Sequence, residues 1–285
     1  MTLSSSKRGR GEADERLDPE IEYKPEISKK EQVQTDGRVM LDNIRTPRPT
    51  LWIAIGALAL TSITVSPGPG DNVPPDDPSY FQFARVKFNE SGRFFWAGWA
   101  HDYPRAERNL LKIVSEVTGI KTTPESYTIV ELEDPRIMEF PLLYFSEPGT
   151  WAITQREAEN LREYFMRGGF AIFDDFDGPW QWAAFEASIK TVFPERQMER
   201  LTVDSPIFQC FYEIETLEMT APRTYGASPE FYGMSDENGR LQVIVNFNND
   251  IGDYWEWSDS AFFPVSLSNE AYKLGINYIV YALTH

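Results

Sequence analysis

The stretch Gly168-Gly169-Phe170-Ala171-Ile172-Phe173-Asp174-Asp175-Phe176-Asp177-Gly178 is an apolar run that ends abruptly in acidic residues. Residues 170–173 are apolar without alternation, which is typical of a strand covered on both faces in a parallel sheet. Ligands of such sheets bind outside the carboxyl ends of the strands, and this strand ends in Asp174, Asp175 and Asp177. The sequence therefore predicts a functional site at this acidic end.

A helix is predicted immediately before this strand. Thr154 and Glu157 have the spacing of a capping box, in which each side chain accepts a hydrogen bond from a free amide at the helix start. Apolar residues then recur at steps of three and four until Gly168 and Gly169, which can end a helix because glycine adopts the left-handed conformation without steric cost. Together the helix and the strand predict one unit of an α/β fold.

Strands and helices alternate along the rest of residues 79–285. This alternation predicts an open α/β fold, in which a mostly parallel sheet forms the middle of three layers. We expect strands at residues 81–88, 127–132, 142–145, 170–173, 207–214 and 241–247. We expect helices at residues 104–119, 154–167, 179–191 and 268–284, and a loop-rich insertion between residues 214 and 239.

The chain is acidic, and its charge is unevenly distributed. The formal net charge is -17, and residues 1–50 contain ten basic and ten acidic residues, so the excess negative charge belongs to residues 51–285. An acidic body disfavours DNA, RNA and anionic lipid as partners, because phosphate groups require basic surfaces. Cys210 is the one cysteine, which excludes an intrachain disulfide and a metal site built from several cysteines.

Composition divides the chain into four segments. Residues 1–50 are polar and poor in aromatic side chains, which predicts a disordered tail. Residues 51–66 are apolar and uncharged, and residues 67–78 form a linker rich in proline, glycine and aspartate. Residues 79–285 are predicted to form the α/β domain.

The apolar segment 51–66 has three interpretations. It is short for a membrane span, so a cleaved export signal and a retained transmembrane anchor are both predicted, and a buried helix is the third alternative. Arg45 and Arg48 precede the segment and aspartates follow it, which places the tail in the cytoplasm and the body outside. We therefore expect a periplasmic, extracytoplasmic body in the cell envelope, attached to the membrane through residues 51–66 if they are not cleaved.

Several short motifs follow one another across residues 80–284. They are Phe83 to Phe88 (FARVKF), Asp102-x-Pro104 with Asn109-Leu110-Leu111, Pro141 to Tyr144 (PLLY), Thr154-x-x-Glu157 with Leu161-Arg162, Gly168-Gly169-Phe170, Asp174-Asp175, Phe193-Pro194, Pro206-Ile207-Phe208 and Gly275-Ile276-Asn277. In this order they resemble a bacterial family described as domain of unknown function 4159. The resemblance implies a Rossmann-like domain similar to class I glutamine amidotransferases, exported or membrane-attached, with no established activity.

An active glutamine amidotransferase needs a nucleophilic cysteine on a glycine-flanked turn and a histidine base. Cys210 lies instead in the apolar run 207–212 without a flanking glycine, which predicts a small buried side chain in a strand. The histidines of the chain are His101 and His285. The sequence contains no Gly-x-Ser-x-Gly, Walker or Gly-x-Gly-x-x-Gly motif, so serine hydrolase, nucleotide and dinucleotide functions lack support.

The acidic end of the central strand allows several interpretations. Asp174 and Asp175 are candidate ligands of a divalent cation or, with His101, candidate catalytic acids and bases. Because adjacent strand residues point to opposite faces, the alternative is structural: one aspartate caps the next helix and another binds the amides of a loop. Asp102 and Asp177 are candidate ligand-binding residues at the same edge. Asp102 has the alternative role of starting the first helix, with His101 solvated.

Aromatic residues concentrate in segments that are predicted as loops. Trp180, Trp255 and Trp257 are candidate ligand-binding residues, because aromatics beside carboxylates suit a saccharide or peptide groove. Packing in the core is the alternative. The same aromatic set includes Trp96, Trp99, Trp182, Tyr103 and Tyr254. The acidic residues around Trp255 and Trp257 are expected either to complete an acidic cleft or to lie in a solvated loop; they are Asp250, Asp253, Glu256 and Asp259.

Two functions from different classes fit these residues. The first is a binding or interaction module of the bacterial cell envelope, non-catalytic or catalytically divergent, that takes a partner protein or a polar or saccharide ligand. The second is a hydrolase that acts on a sugar or amide through Asp174, Asp175 and His101, with or without a divalent cation. No other cofactor is predicted. Convergence of the three side chains within about 5 Å in a pocket would favour the hydrolase, whereas Asp174 and Asp175 turned away from each other and bonded to backbone would argue against it.

Overall fold

The computed structural model describes residues 78–91, 98–218 and 227–285. The predicted tail 1–50, the apolar segment 51–66 and nearly all of the linker 67–78 lie outside the described residues, as does Trp96. Within the described ranges, no helix combines the length and the apolar character needed to cross a membrane. The prediction of a transmembrane helix is therefore corrected, and the α/β domain is described without one.

The described residues form seven strands and five α-helices. The strands are β1 (Phe83–Lys87), β2 (Tyr127–Glu131), β3 (Leu142–Ser146), β4 (Phe170–Phe176), β5 (Glu199–Arg200), β6 (Glu230–Ser235) and β7 (Leu241–Phe247). The helices are α1 (Arg105–Val117), α2 (Gln155–Met166), α3 (Gly178–Val192), α4 (Ile251–Glu256) and α5 (Val265–Thr284).

All seven strands belong to one sheet with the order β2-β1-β3-β4-β7-β6-β5. The five strands from β2 to β7 in this order are parallel, whereas β6 is antiparallel to β7 and β5 is antiparallel to β6. The chain passes from β1 to β2 on one side and then to β3 on the other, so the direction of winding reverses between β1 and β3. In open α/β sheets, ligands bind outside the carboxyl ends of the strands at such a reversal.

Helices cover both faces of the sheet, which confirms the predicted three-layer α/β fold. Side chains of α1, α4 and α5 pack in one buried cluster on one face, and side chains of α2 and α3 pack in a second cluster on the other. The capping box predicted at Thr154 and Glu157 is present at the start of α2. As predicted, β4 is buried on both faces from Phe170 to Phe173.

Residues 207–214, predicted as a strand, do not pair with the sheet. A short 3-10 helix spans Pro206–Phe208, and the following chain binds α5 instead. The Asn277 side chain accepts a hydrogen bond from the Tyr212 amide and donates one to the Tyr212 carbonyl, both at 2.8 Å. These backbone groups therefore do not need a strand partner, and the apolar run packs on α5 instead of joining the sheet. The strand next to β7 is β6, within the segment predicted to be rich in loops.

Gly275 in α5 is expected to be required for the close contact between α5 and α4. A Cβ atom at Gly275 would lie 2.6 Å from Cζ2 of Trp255 and 3.1 Å from a methyl carbon of Leu110. We expect Gly275→Ala to lower the free energy of unfolding by about 1–3 kcal/mol, measured by urea denaturation, because the buried Trp255 ring has to move. Gly119→Ala is the control, since a Cβ there meets no atom within 4 Å. Equal stability of the two variants would contradict this packing argument.

Candidate metal centre

A β-bulge at the carboxyl end of β4 separates the two aspartates that the sequence singled out. Phe173 pairs with Val245 and Phe176 pairs with Phe247, so Asp174 and Asp175 lie together opposite one residue of β7. Asp175 adopts a left-handed conformation with φ 61°. Bulges commonly redirect side chains next to functional sites. The two adjacent carboxylates consequently have different partners.

Asp174 is fully buried and has a structural role. Its two carboxylate oxygens accept four hydrogen bonds: from the Tyr144 hydroxyl at 2.8 Å, the Asn246 amide group at 3.1 Å, and the backbone amides of Ile251 and Gly252 at 3.3 and 3.0 Å. The last two amides lie at the start of α4, where backbone donors lack partners within the helix. Asp174 therefore fixes the position of α4 beside the sheet edge, in agreement with the structural alternative.

Asp175 lies instead in a cluster with His101 and Glu147, which we call the outer cluster. His101 Nδ1 lies 3.0 Å from Oδ2 of Asp175 and 3.2 Å from Oε1 of Glu147. Each residue offers one ligand atom, and these atoms all lie within 4.8 Å of one another. The three side chains keep 35%, 34% and 17% of their surface exposed for His101, Glu147 and Asp175. The outer cluster therefore combines one imidazole with two carboxylates at a position that solvent can reach.

A second group of carboxylates, the inner cluster, consists of Asp102, Asp250 and Asp253. One oxygen atom from each residue lies within 4.8 Å of the others, and all three residues are buried. Oδ1 of Asp102 is also 3.6 Å from Nδ1 of His101, so the two clusters are adjacent. Asp250 caps α4 through Oδ1, which accepts a hydrogen bond from the Asp253 amide at 2.8 Å.

The loop that carries His101 and Asp102 is held by Arg85, a fully buried residue of β1. The Arg85 guanidinium donates hydrogen bonds to the carbonyls of Trp99 at 3.0 Å and His101 at 2.6 Å. Its Nε atom forms an ion pair with Glu107 in α1. A buried arginine that is paired with a carboxylate and bonded to backbone carbonyls is a rigid support. Arg85 is therefore a positioning residue for both clusters.

Three of the six residues in the two clusters share an unusual backbone conformation. Five non-glycine residues in the described ranges have positive φ, and Asp102, Glu147 and Asp175 are three of them, at 63°, 49° and 61°. This conformation costs side-chain-bearing residues free energy and is concentrated at functional sites. Asp102 and Glu147 lie in connections at the carboxyl edge of the sheet, and Asp175 lies in the bulge at the carboxyl end of β4. The folded domain therefore holds the two clusters together against a local backbone cost.

Burial of the carboxylates raises their pKa values. Burial raises the pKa of Asp102 to about 7, although the charges of His101 and Arg85 oppose the shift. Burial also raises the pKa of Asp174 to about 6, against the effect of its hydrogen bonds. The pKa values of Asp175 and Asp250 are raised well above their usual range, first by burial and then by the charges of neighbouring carboxylates. In the absence of a cation, part of the cluster therefore carries protons near neutral pH.

The metal-free protein is expected to lose stability as the pH rises from about 4 to about 7. The unfolded pKa of aspartate is about 3.9, so the folded protein binds more protons in this range and the free energy of unfolding decreases with pH. The contribution of Asp102 and Asp174 is fully present below about pH 4 and is lost as the pH passes their folded pKa values of about 7 and about 6. Thermal melts of chelator-treated protein between pH 5 and 8 measure this dependence. Asp102→Asn should flatten it, and a melting temperature that rises steadily over this range would contradict the assignment.

The other candidate residues lie in different environments. Asp177 is the residue before α3, but its side chain makes no capping hydrogen bond. Trp180 is 62% exposed on α3, whereas Trp255, predicted to lie in a loop, is buried in α4 because its indole packs against Gly275 and donates to the Ala271 carbonyl at 3.0 Å. Trp257 is half-buried, with the Arg105 guanidinium 4.7 Å from its ring centre. The three tryptophans therefore differ in burial and in the residues they contact.

Glu147 is the functional candidate that sequence reasoning missed. It follows β3 directly, and its amide donates to the Asp174 carbonyl at 3.0 Å. The position of Glu147 in the sequence is a usable signal. It is a polar residue just after a predicted strand, and the carboxyl ends of neighbouring parallel strands meet at one edge of the sheet. Asp250 and Asp253, expected to complete an acidic cleft or to lie in a solvated loop, are buried in the inner cluster. Asp259, assigned to the same cleft, forms an ion pair with Arg105 instead.

Comparison with curated proteins gave no match. The likeness to glutamine amidotransferases stays a prediction. One family model covers residues 82–283, which is nearly the whole described domain. It is described as a domain of unknown function, DUF4159, and on this match the chain belongs to that family.

Proposed function

We propose that the protein is a divalent-cation-dependent hydrolase whose cation is held by His101, Glu147 and Asp175. The observation that carries the proposal is the convergence of their ligand atoms within 4.8 Å of one another. His101 and Glu147 lie in the connections that follow β1 and β3, and Asp175 lies near the carboxyl end of β4, so the three residues are far apart in sequence. They meet at the reversal point of the sheet, the common ligand position in open α/β folds.

The distances within the outer cluster suit a coordinated cation. Ligand atoms bound at about 2.1 Å and occupying neighbouring positions lie about 3.0–3.4 Å apart. His101 Nδ1 lies at 3.0 and 3.2 Å from the two carboxylate oxygens. One imidazole and two carboxylates suit Mn²⁺ or Zn²⁺, since imidazole favours transition metals and carboxylate favours harder cations. Three protein ligands leave positions for water and substrate.

The chemistry that follows is hydrolysis of a polar substrate. A bound cation lowers the pKa of a coordinated water and polarises the bond under attack. The partial exposure of the outer cluster gives solvent and a ligand access to the cation. In accordance with the sequence hypothesis, we propose a sugar or amide bond as the bond that is cleaved.

The first test is cation binding by the full chain after treatment with a chelator. Mn²⁺ at 100 times its dissociation constant should add about 2.7 kcal/mol to the free energy of unfolding, measured as a rise in melting temperature. Asp175→Asn should abolish the part of the rise due to the outer cluster. Glu116→Gln is the control because Glu116 is exposed at the end of α1, near the opposite edge of the sheet. An unchanged titration of the Asp175 variant would contradict the outer site.

The second test is turnover by the cation-loaded chain on chromogenic glycosides and anilides. We expect hydrolysis that a chelator removes, that Mn²⁺ restores and that Asp175→Asn reduces at least about 100-fold, because a cation ligand is lost. Cation binding without turnover on any substrate would instead support a non-catalytic binding module. One observation favours this second candidate: Asp174 is saturated with hydrogen bonds, so the predicted Asp174 and Asp175 acid–base pair is not formed. Export of the domain stays a prediction.

A further inference from the structure

We propose that Asp102, Asp250 and Asp253 hold a second cation, so that the sheet edge carries a centre for two cations. This inner cation is separate from the outer one, because the two clusters share no residue. The inner cluster supplies oxygen ligands alone, which suits a hard divalent cation such as Ca²⁺, Mg²⁺ or Mn²⁺.

The first argument is the state of the Asp102 carboxylate. The side chain is 1% exposed, and neither of its oxygens accepts a hydrogen bond from any residue in the described ranges. Buried polar atoms are paired in the great majority of cases, so an unpaired buried carboxylate indicates a missing partner. Its oxygens face the inner cluster and His101, since Oδ1 is 3.6 Å from Nδ1 of His101. A cation is the partner that a carboxylate beside other carboxylates requires.

The second argument is that other buried polar atoms near the inner cluster also lack hydrogen-bond partners in the described ranges. Three more buried polar atoms have no hydrogen-bond partner among the described residues: Oδ2 of Asp250, the Asn249 side-chain nitrogen and the Ser146 hydroxyl. Asn249 and Asp250 follow β7 directly, and Ser146 ends β3 opposite Asp174. These atoms lie at one edge of the sheet, where a cation with bound water would give them partners.

The third argument is that the inner cluster has room for an ion and that neighbouring contacts fix its position. Oxygen ligands around an ion bound at about 2.4 Å lie no more than about 4.8 Å apart, and the ligand atoms of the inner cluster lie within 4.8 Å of one another. Gly252 in α4 keeps this space open, because a Cβ there would lie 2.6 Å from Oδ2 of Asp102. Asp174 holds the Gly252 amide and Arg85 holds the carbonyl before Asp102, so both sides of the cluster are fixed.

Two cations at neighbouring sites extend the chemistry of the outer cluster. The contact between Asp102 and His101 places the two clusters next to each other, so the two ions would lie at neighbouring sites. In two-metal hydrolases one ion activates the attacking water and the other stabilises the leaving oxygen. In the arrangement proposed here, His101, Glu147 and Asp175 would hold an ion that supplies an activated water, and the inner cluster would hold an ion that supplies buried positive charge. This division of roles depends on the proposed hydrolase function, whereas the inner cation does not.

The test is the number of Mn²⁺ ions bound by the full chain, measured by calorimetric titration and by electron paramagnetic resonance after chelator treatment. Wild type and Glu116→Gln should bind two ions per chain, with a signal broadened by coupling between neighbouring ions. Asp102→Asn and Asp250→Asn should each bind one ion with an uncoupled signal. Asparagine at position 250 keeps the oxygen that caps α4, so we expect Asp250→Asn to fold. It therefore tests the inner cation even if Asp102→Asn does not fold.

The outcomes separate the two proposals. One ion in wild type that is lost in Asp175→Asn and kept in both inner variants would overturn the inner cation and leave the proposed function intact. One ion that is lost in both inner variants and kept in Asp175→Asn would support the inner cation and overturn the outer one. Absence of any bound ion would overturn both.

Discussion

Arg85→Met is expected to lower the free energy of unfolding by about 3–5 kcal/mol, the usual cost of removing one partner from a buried ion pair. The guanidinium is fully buried, and its removal leaves the Glu107 carboxylate without its pair. The carbonyls of Trp99 and His101 also lose their donors. Denaturation in urea measures the change. No other substitution discussed for this domain is expected to cost as much.

The control is the double substitution Arg85→Met/Glu107→Met. Replacing both members of a buried ion pair by apolar side chains of similar volume is often neutral, so the double variant should recover at least half of the lost stability. It should still bind Mn²⁺ more weakly than wild type, because the loop of His101 and Asp102 stays without its anchor. Equal stability of the single and double variants would contradict the assignment of Glu107 as the buried counter-ion.

Asp174→Asn and Asp175→Asn, although adjacent and chemically identical, are expected to have opposite effects. Asp174→Asn should lower the free energy of unfolding by about 3 kcal/mol. Each oxygen of Asp174 accepts two hydrogen bonds, so an amide nitrogen in place of either oxygen would face two donors. Asp175→Asn should raise stability by up to about 1 kcal/mol in metal-free protein, because it removes a carboxylate from a repulsive cluster.

The order of the two variants should be reversed for cation binding: the less stable variant, Asp174→Asn, should bind the outer cation, and Asp175→Asn should not. Asp175→Asn loses the outer cation, whereas Asp174→Asn that remains folded at low temperature keeps its ligand atoms. Paired urea denaturations and Mn²⁺ titrations at 10 °C measure both properties on each protein. A loss of stability in Asp175→Asn as large as that in Asp174→Asn would show that Asp175 is a structural residue, and it would remove the main support for the outer site.

Local patterns predicted the elements whose stability is mainly local or mainly apolar. The capping box at Thr154, the apolar run 170–173 and the strand at 241–247 all occur as expected. The failures have identifiable causes. Residues 207–214 have strand-like composition, but Asn277 in α5 takes the backbone groups of Tyr212. Helix α4 is only six residues long, and the amides at its start donate hydrogen bonds to Asp174, which lies 77 positions before Ile251.

The sequence by itself determined the α/β class and the acidic edge of the sheet, and it gave Asp174, Asp175 and His101 as candidates there, because patterns of residues indicate burial and strand direction. Only the tertiary structure decided which aspartate serves function. One extra residue in β4 turns Asp174 toward α4 and leaves Asp175 beside His101. The tertiary structure also brought Glu147 to the site from the connection after β3, and Asp250 and Asp253 from the segment after β7. Such convergence depends on the register and curvature of paired strands, and no local pattern of residues encodes those contacts.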